Sequence, residues 1–297
     1  MNYLTGKGLP RLLNEMPDKP KGLYVVGNEE LLHRPDLTYI CIIGSRKYTQ
    51  YGLDACRELI AGLRGKAVAI VSGLALGIDG IAHRTALEAG IPCIAVPGSG
   101  LDPDVLYPRS HVELARDIVD AGGVLVSEFE PGFRATPWAF PMRNRIMAGL
   151  SHAVLIIEGE EDSGTLITAR LALEYDRGVL AVPGSIFSSA SLGPLNLIKK
   201  GAVPICCVRD LLDALNLKED LILHDEAAEH EKYRQCSKEE LLIIQSLKEP
   251  QSRDALLNLT GLELSRMLVL LSTLEIRGLI VEEFGLVRIS RRRKEYF

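Results

Sequence analysis

A chain of 297 residues, 47% hydrophobic and 25% charged, is long enough for one large core and a small second domain, and its composition is that of an ordinary globular protein. No apolar run approaches the ~20 residues that span a bilayer, and Met1 to Pro20 lacks the basic and apolar regions of a signal peptide, so the expected location is the cytoplasm. A net charge of −5 excludes a surface coated in basic residues and confines any nucleic-acid site to a local groove; six cysteines without C-x-x-C spacing favour neither a disulfide framework nor a zinc site.

Residues 1–35, interrupted by Pro10, Pro17 and Pro20, read as an irregular lead-in within which Gly22–Gly27 forms a short strand. From Tyr39 onward, short apolar runs recur at 39–43, 67–71, 92–96, 124–126, 153–157 and 179–182, separated by helix-length segments. Runs buried on both faces and alternating with helices predict a Rossmann-like, doubly wound, mostly parallel α/β sheet over residues 36–215. Every Gly-rich turn then falls at the carboxyl edge, where such sheets bind ligands.

The first of these turns is Gly44-Ser45-Arg46-Lys47. Arg46 occupies the second glycine position of a dinucleotide fingerprint, so this is not a dinucleotide loop. Arg46 and Lys47 either set two cations beside an anion site or form a solvated basic turn. The second turn, Ser72-Gly73-Leu74-Ala75-Leu76-Gly77, leads into a helix carrying Asp79 and His83. Gly73 and Gly77 remove the Cβ atoms that would keep an anion from backbone N–H groups. Asp79 and His83 are four apart and share a helix face; the carboxylate either orients the imidazole or bonds a sugar hydroxyl, or Asp79 caps the helix while His83 packs inside.

The segment from Pro97 to Pro103 is a Gly- and Pro-rich loop, rigid enough to approach a ligand and equally readable as a plain connection. Further on, Pro141 suits the first position of a helix, which places Arg143, Asn144 and Arg145 in its first turn. With Phe140 they offer a platform for phosphates and a stacked base; the competing reading pairs the arginines with Glu128 or Glu158. Ser163, Gly164 and Thr165 open the following helix, with Ser163 as N-cap, and again leave donors for an anion. A nucleophilic serine is disfavoured because the G-x-S-x-G context is missing. Residues 216–236, rich in acids, read as a solvated linker, and residues 237–297 as three short helices and two strands, a winged-helix outline suited to DNA or to a protein partner. The Arg291-Arg292-Arg293-Lys294 tail is either part of such a contact or a solvated terminus.

Taken in register, Gly44-Ser45-Arg46, Ser72-Gly-Leu-Ala-x-Gly-Ile-Asp79, Ala82-His83, Phe140-Pro-x-Arg-Asn-Arg145, Ser163-Gly-Thr-Leu-Ile-Thr-Ala169 and Pro183-Gly184 resemble the DprA/Smf family of DNA-processing proteins. The resemblance implies an extended Rossmann domain that binds single-stranded DNA in a basic pocket. It also implies a homodimer that helps load the recombinase RecA in natural transformation or related recombination, with no cofactor and no catalysis. By position, Arg46 holds the DNA backbone, the turn from Ser72 to Asp79 lines the pocket, and Phe140, Arg143 and Arg145 flank it. Leu76 departs from the family, which usually has a basic residue there. Two other readings compete. One is a nucleotide-binding enzyme or sensor of the LOG-type phosphoribohydrolase superfamily, with Asp79 and Glu158 as carboxylates, although the Pro-Gly-Gly-x-Gly-Thr-x-x-Glu pattern is missing. The other is a Rossmann scaffold that presents the winged helix to duplex DNA.

Overall fold

Alternation of side chains along each apolar run builds two cores, one on either face of a single sheet. Tyr39, Cys41 and Ile43 enter one core while Ile40 and Ile42 enter the other, and Val154 and Ile156 likewise oppose Ala153, Leu155 and Ile157. Fully burying one such aliphatic side chain stabilises the fold by about 1.5–3 kcal/mol. These features come from a computed structural model that describes residues 1–161, 164–217, 233, 236–247, 249–283 and 285–289. The chain divides into two compact units, Met1–Glu219 and Asp220–Phe297.

In the first unit the order is β1 (Asn2–Thr5), α1 (Arg11–Asn14), β2 (Gly22–Gly27), β3 (Thr38–Ile43), α2 (Gln50–Ala61), β4 (Val68–Ser72), α3 (Ile78–Glu88), β5 (Cys93–Ala95) and α4 (Val112–Asp120). There follow β6 (Val124–Ser127), α5 (Ala139–Gly149), β7 (Ala153–Ile156), α6 (Gly164–Glu174), β8 (Gly178–Ala181), α7 (Ser189–Lys199), β9 (Val203–Pro204) and α8 (Val208–Ala214). The strands form one sheet in the order β1-β2-β6-β5-β4-β3-β7-β8-β9. All pairings from β6 to β9 are parallel, and β1 and β2 join antiparallel at one end. The chain thus winds outward from β3 through β4, β5 and β6, then returns to β7 on the other side of β3. That reversal makes β3 and β7 the topological switch point of the sheet.

The lead-in is not irregular. Its prolines separate short elements whose apolar residues are buried: Leu4, Leu9, Leu12, Leu13 and Met16 all enter one core. Gly149 makes this docking possible, since a Cβ there would lie 2.1 Å from the Met16 sulfur. Elements of four to six residues are too short to show a period, so the prolines dominate the sequence pattern. Helix α5 also departs from expectation, starting two residues ahead of Pro141. The first N–H groups of a helix have no intrahelical partner, so proline is tolerated throughout the first turn.

The second unit holds α9 (Lys238–Ser246), β10 (Gln251–Ser252), α10 (Arg253–Thr260), α11 (Leu264–Ile276), β11 (Ile280–Glu283) and β12 (Leu286–Ile289), with sheet order β10-β12-β11. Ser237 and Glu240 form a capping box on α9, Ser252 caps α10, and Gly261 ends α10 in the left-handed region. Three helices with a small antiparallel sheet make a winged helix. Most of the stretch expected as a linker, and the basic tail, lie outside the described residues.

Candidate nucleic-acid interface

One glycine allows the loops after β3 and β4 to meet. Gly77 has φ +80°, and a Cβ on it would lie 2.3 Å from the Ser45 carbonyl oxygen and 2.6 Å from the Arg46 Cα. Only glycine tolerates both the dihedral and the contact. The Ser45 hydroxyl accepts from the Lys47 N–H (3.0 Å) and donates to its carbonyl (2.8 Å), which folds the loop back and leaves the Arg46 and Lys47 side chains exposed. Neither makes an ion pair among the described residues. The Arg46 guanidinium lies 5.0 Å from the centroid of the Phe140 ring, a cation–π contact. Phe140 rests on Gly98, where a Cβ would come within 2.6 Å of the ring, and Tyr107 stands 5.8 Å away at 53°. Arg46, Gly73, Leu76, Gly98, Tyr107, Phe140 and Arg143 line one pocket at the carboxyl edge.

Beneath this pocket the expected site residues are mostly occupied with one another. Arg143 is buried; its Nη1 donates to the carbonyls of Gly73 and Val96, and its Nε donates to Asn144 Oδ1 (3.1 Å). Asp79 accepts backbone hydrogen bonds from Gly73 and Ala75. Burial raises its pKa, and the nearby Arg143 charge and these bonds oppose the shift. Burial lowers the Arg143 pKa in turn, with Asp79 resisting. Both side chains crowd Gly73, where a Cβ would fall 2.1 Å from Arg143 Nη1 and 2.5 Å from Asp79 Oδ2. Leu74 holds φ +56° with its side chain in the core, and the His111 Nδ1–H donates to its carbonyl at 2.8 Å. A left-handed leucine costs on the order of 1 kcal/mol, so the turn from Ser72 to Gly77 is held by its surroundings rather than by local preference.

Several expected roles need correction. His83 does not bond Asp79: its buried ring nitrogens lack a well-formed hydrogen bond among the described residues, and burial, only partly opposed by the nearby Ser72 backbone, depresses its pKa to about 3. The Ser72 hydroxyl donates to the Ile42 carbonyl (2.6 Å), tying β4 to β3 instead of meeting solvent. Glu158 is buried and accepts from the Thr49 N–H (2.9 Å) and hydroxyl (2.5 Å), so it anchors Thr49, the N-cap of α2. Arg145 does not flank the Phe140 pocket. It pairs with Glu128 at 2.5 Å and donates to the Asp18 carbonyl at 2.7 Å, because residues two apart on a helix point about 200° apart. Asn144 packs between Arg143 and the Gly164 carbonyl (3.4 Å). Gly164 is exposed at the start of α6, Thr165 is buried, and Ser163 lies outside the described residues. Gly98 lies in the Gly- and Pro-rich loop whose composition suits approach to a ligand, while nothing in the sequence singles out Tyr107 beyond its place after that loop.

A doubly wound sheet that brings Arg46, Lys47, Tyr107 and Phe140 to its carboxyl edge defines a Rossmann-type protein. The family model described as DNA recombination-mediator protein A matches residues 2–216, and the chain belongs to that family. Protein Smf of Escherichia coli K12 is 42% identical over 206 residues, covering 69% of this chain and 54% of its own length. DNA processing protein DprA of Bacillus subtilis is 39% identical over 212 residues, 71% of this chain and 70% of the relative. The chain therefore spans about half the length of the first of these and somewhat over two thirds of the second. Among solved structures, DprA of Streptococcus pneumoniae superposes with a TM-score of 0.66 at 37% identity, over 71% of this chain and 73% of that one. DprA of Helicobacter pylori, studied for its unique single-stranded DNA binding mode, gives 0.64 at 32% identity, over 73% and 96%.

Proposed function

We propose that the chain binds single-stranded DNA at the Arg46–Phe140 pocket and, as a homodimer, helps load RecA during natural transformation or related DNA recombination in the cytoplasm, without catalysing a reaction. The observation that carries this is Arg46, without an ion pair among the described residues, held 5.0 Å over Phe140 at the carboxyl edge with exposed Lys47 beside it. A cation and a ring in contact suit a phosphate and its unstacked base, and the H. pylori relative with a single-stranded DNA binding mode supports the same ligand. Two carboxylates that a nucleotide hydrolase would need, Asp79 and Glu158, are instead engaged by backbone N–H groups and Thr49, which favours binding over catalysis.

Fluorescence anisotropy of labelled oligo-dT across a salt series tests the reading. Log K is expected to fall with log salt by about 0.7 per phosphate contacted, with duplex DNA and AMP competing poorly and Arg46→Glu abolishing binding. Retention of full affinity by that variant would overturn the assignment. RecA loading is read as faster RecA nucleation on the same strand, and the dimer by sedimentation.

A further inference from the structure

The side of α5 opposite Arg143 faces a second cleft, of about 390 Å3, at the same edge of the sheet. Two rings form one wall. Gly22 leaves room for the Tyr3 ring to lie across it, a Cβ there coming 2.5 Å from Tyr3 Cζ, and Tyr3 meets Tyr24 at 4.5 Å between centroids. Tyr3 remains 53% exposed, enough to offer a face to a ligand. Lys19 and Lys21 bring two exposed ammonium groups, and Glu130 is the acid beside them. Arg145 and Glu128 also line the cleft but neutralise each other in their ion pair. The balance outside that pair is two cations against one anion.

Backbone and side-chain contacts join this cleft to the Arg46 pocket without a break. Tyr24 pairs with Ser127 across β2 and β6, and the Ser127 hydroxyl donates to the Ser99 carbonyl at 2.7 Å. Ser99 follows Gly98, on which Phe140 rests. Phe129, flanked in the chain by Glu128 and Glu130 of the cleft, belongs to an aromatic cluster, stacked on Phe133 at 4.6 Å with Trp138 set edge-on to both at 5.7 and 5.5 Å. Trp138 is 56% exposed, just ahead of Phe140 in the chain. The Gly100 N–H donates to the Phe133 carbonyl (2.9 Å), fixing this cluster to the loop that holds Gly98.

We infer that Lys19, Lys21 and the Tyr3–Tyr24 pair form a second subsite for the same single strand, which leaves the Phe140 platform over Trp138 and continues into the cleft beside β2. The inference rests on the single-strand reading above. Stacking platforms interleaved with cations are how proteins hold a strand without reading its sequence, and such sites accommodate roughly 4 to 16 nucleotides. Strands of the sheet are about 4.8 Å apart, so the path from β5 past β6 to β2 covers about 10 Å, a further few nucleotides.

The test compares oligo-dT of about 4 and about 16 nucleotides on the full chain. Lys19→Glu with Lys21→Glu is expected to weaken the longer strand about tenfold at low salt and flatten its salt slope by about 1.4, two phosphate contacts, while the shorter strand changes less than about twofold. Glu130→Gln should tighten the longer strand alone, and Tyr3→Ala should weaken it alone. Unchanged binding of the longer strand by the lysine variant, or equal loss for both lengths, would overturn the subsite. Failure of the unaltered chain to bind either length would instead overturn the single-strand reading together with the subsite, so the two failures are distinct. Circular dichroism of each variant confirms that the edge strands remain folded.

Discussion

Arg46 and Arg143 share a side-chain type and line the same pocket, yet they contribute to different links of the chain from structure to function. Arg143 is buried and supplies both the Gly73 and Val96 carbonyls with a donor, whereas Arg46 is exposed, lies against the Phe140 face and makes no ion pair among the described residues. Arg143→Met should therefore cost about 2–4 kcal/mol of stability by leaving those carbonyls unsatisfied, and Arg46→Met less than about 0.5 kcal/mol, as read from urea unfolding. Oligo-dT binding should respond in reverse at the folded state: Arg46→Met loses affinity while every Arg143-supported contact stays intact. His83 gives a pH signature. Below its ordinary value of 6.5 the unfolded chain protonates this imidazole, and the folded chain resists until about pH 3. The stability supplied by the neutral ring thus falls as pH falls through that window, by at most about 1.4 kcal/mol per pH unit. His83→Gln should remove this limb from unfolding midpoints measured between pH 7 and 4. Asp79, whose pKa is raised, acts with the opposite sign: its share of stability is lost as pH rises.

At the scale of elements, what the sequence made legible was set by burial on two faces. Runs such as Ile40 to Ile43 are apolar without interruption because both sides of the sheet are covered, and no turn residue can hide inside them. Strands β1 and β9 are four and two residues long and sit at the sheet's ends, where no such run is required. The opposite directions of Arg143 and Arg145 follow from their spacing on α5, but which of the two faces the pocket is set by how the helix packs on the sheet. Ser72 and Glu158 were readable as donors and acceptors, but their partners, Ile42 and Thr49, come from β3 and the start of α2, contacts that only the fold creates. Glu158 at the N-terminus of α2 satisfies the Thr49 N–H and favours the helix dipole. Glu158→Gln should cost about 1 kcal/mol in thermal unfolding, from the lost charge, and leave oligo-dT affinity unaltered. A nucleoside monophosphate incubated with the chain should release no free base before or after that substitution; release that the substitution abolishes would restore the enzyme reading.

For the whole molecule, a net charge of −5 means that binding to a polyanion must be local, and the two units differ in how they use their cations. In the second unit Arg253 pairs with Glu282 at 2.6 Å, Arg266 with Glu239 at 2.7 Å and Arg277 with Glu240 at 3.0 Å. The helix that a winged-helix reader would place in a major groove, α11, carries Arg266 in one of those pairs and exposes Leu264, Val269 and Ile276. Phosphate contact requires cations with no closer partner, and in the first unit Arg46 and Lys47 meet that condition among the described residues. A chain ending at Glu219, the boundary of the first compact unit, should therefore bind oligo-dT within about twofold of the full chain and with the same salt slope. Arg46→Glu in the full chain should abolish that binding although the second unit and the basic tail are intact. Should the shortened chain lose the strand and the Arg46 variant keep it, the winged helix and its tail would be the DNA-binding part and the sheet its scaffold. The pairing of Arg253, Arg266 and Arg277 with acids of their own unit argues for the first result, since each would have to give up a carboxylate before it could take a phosphate.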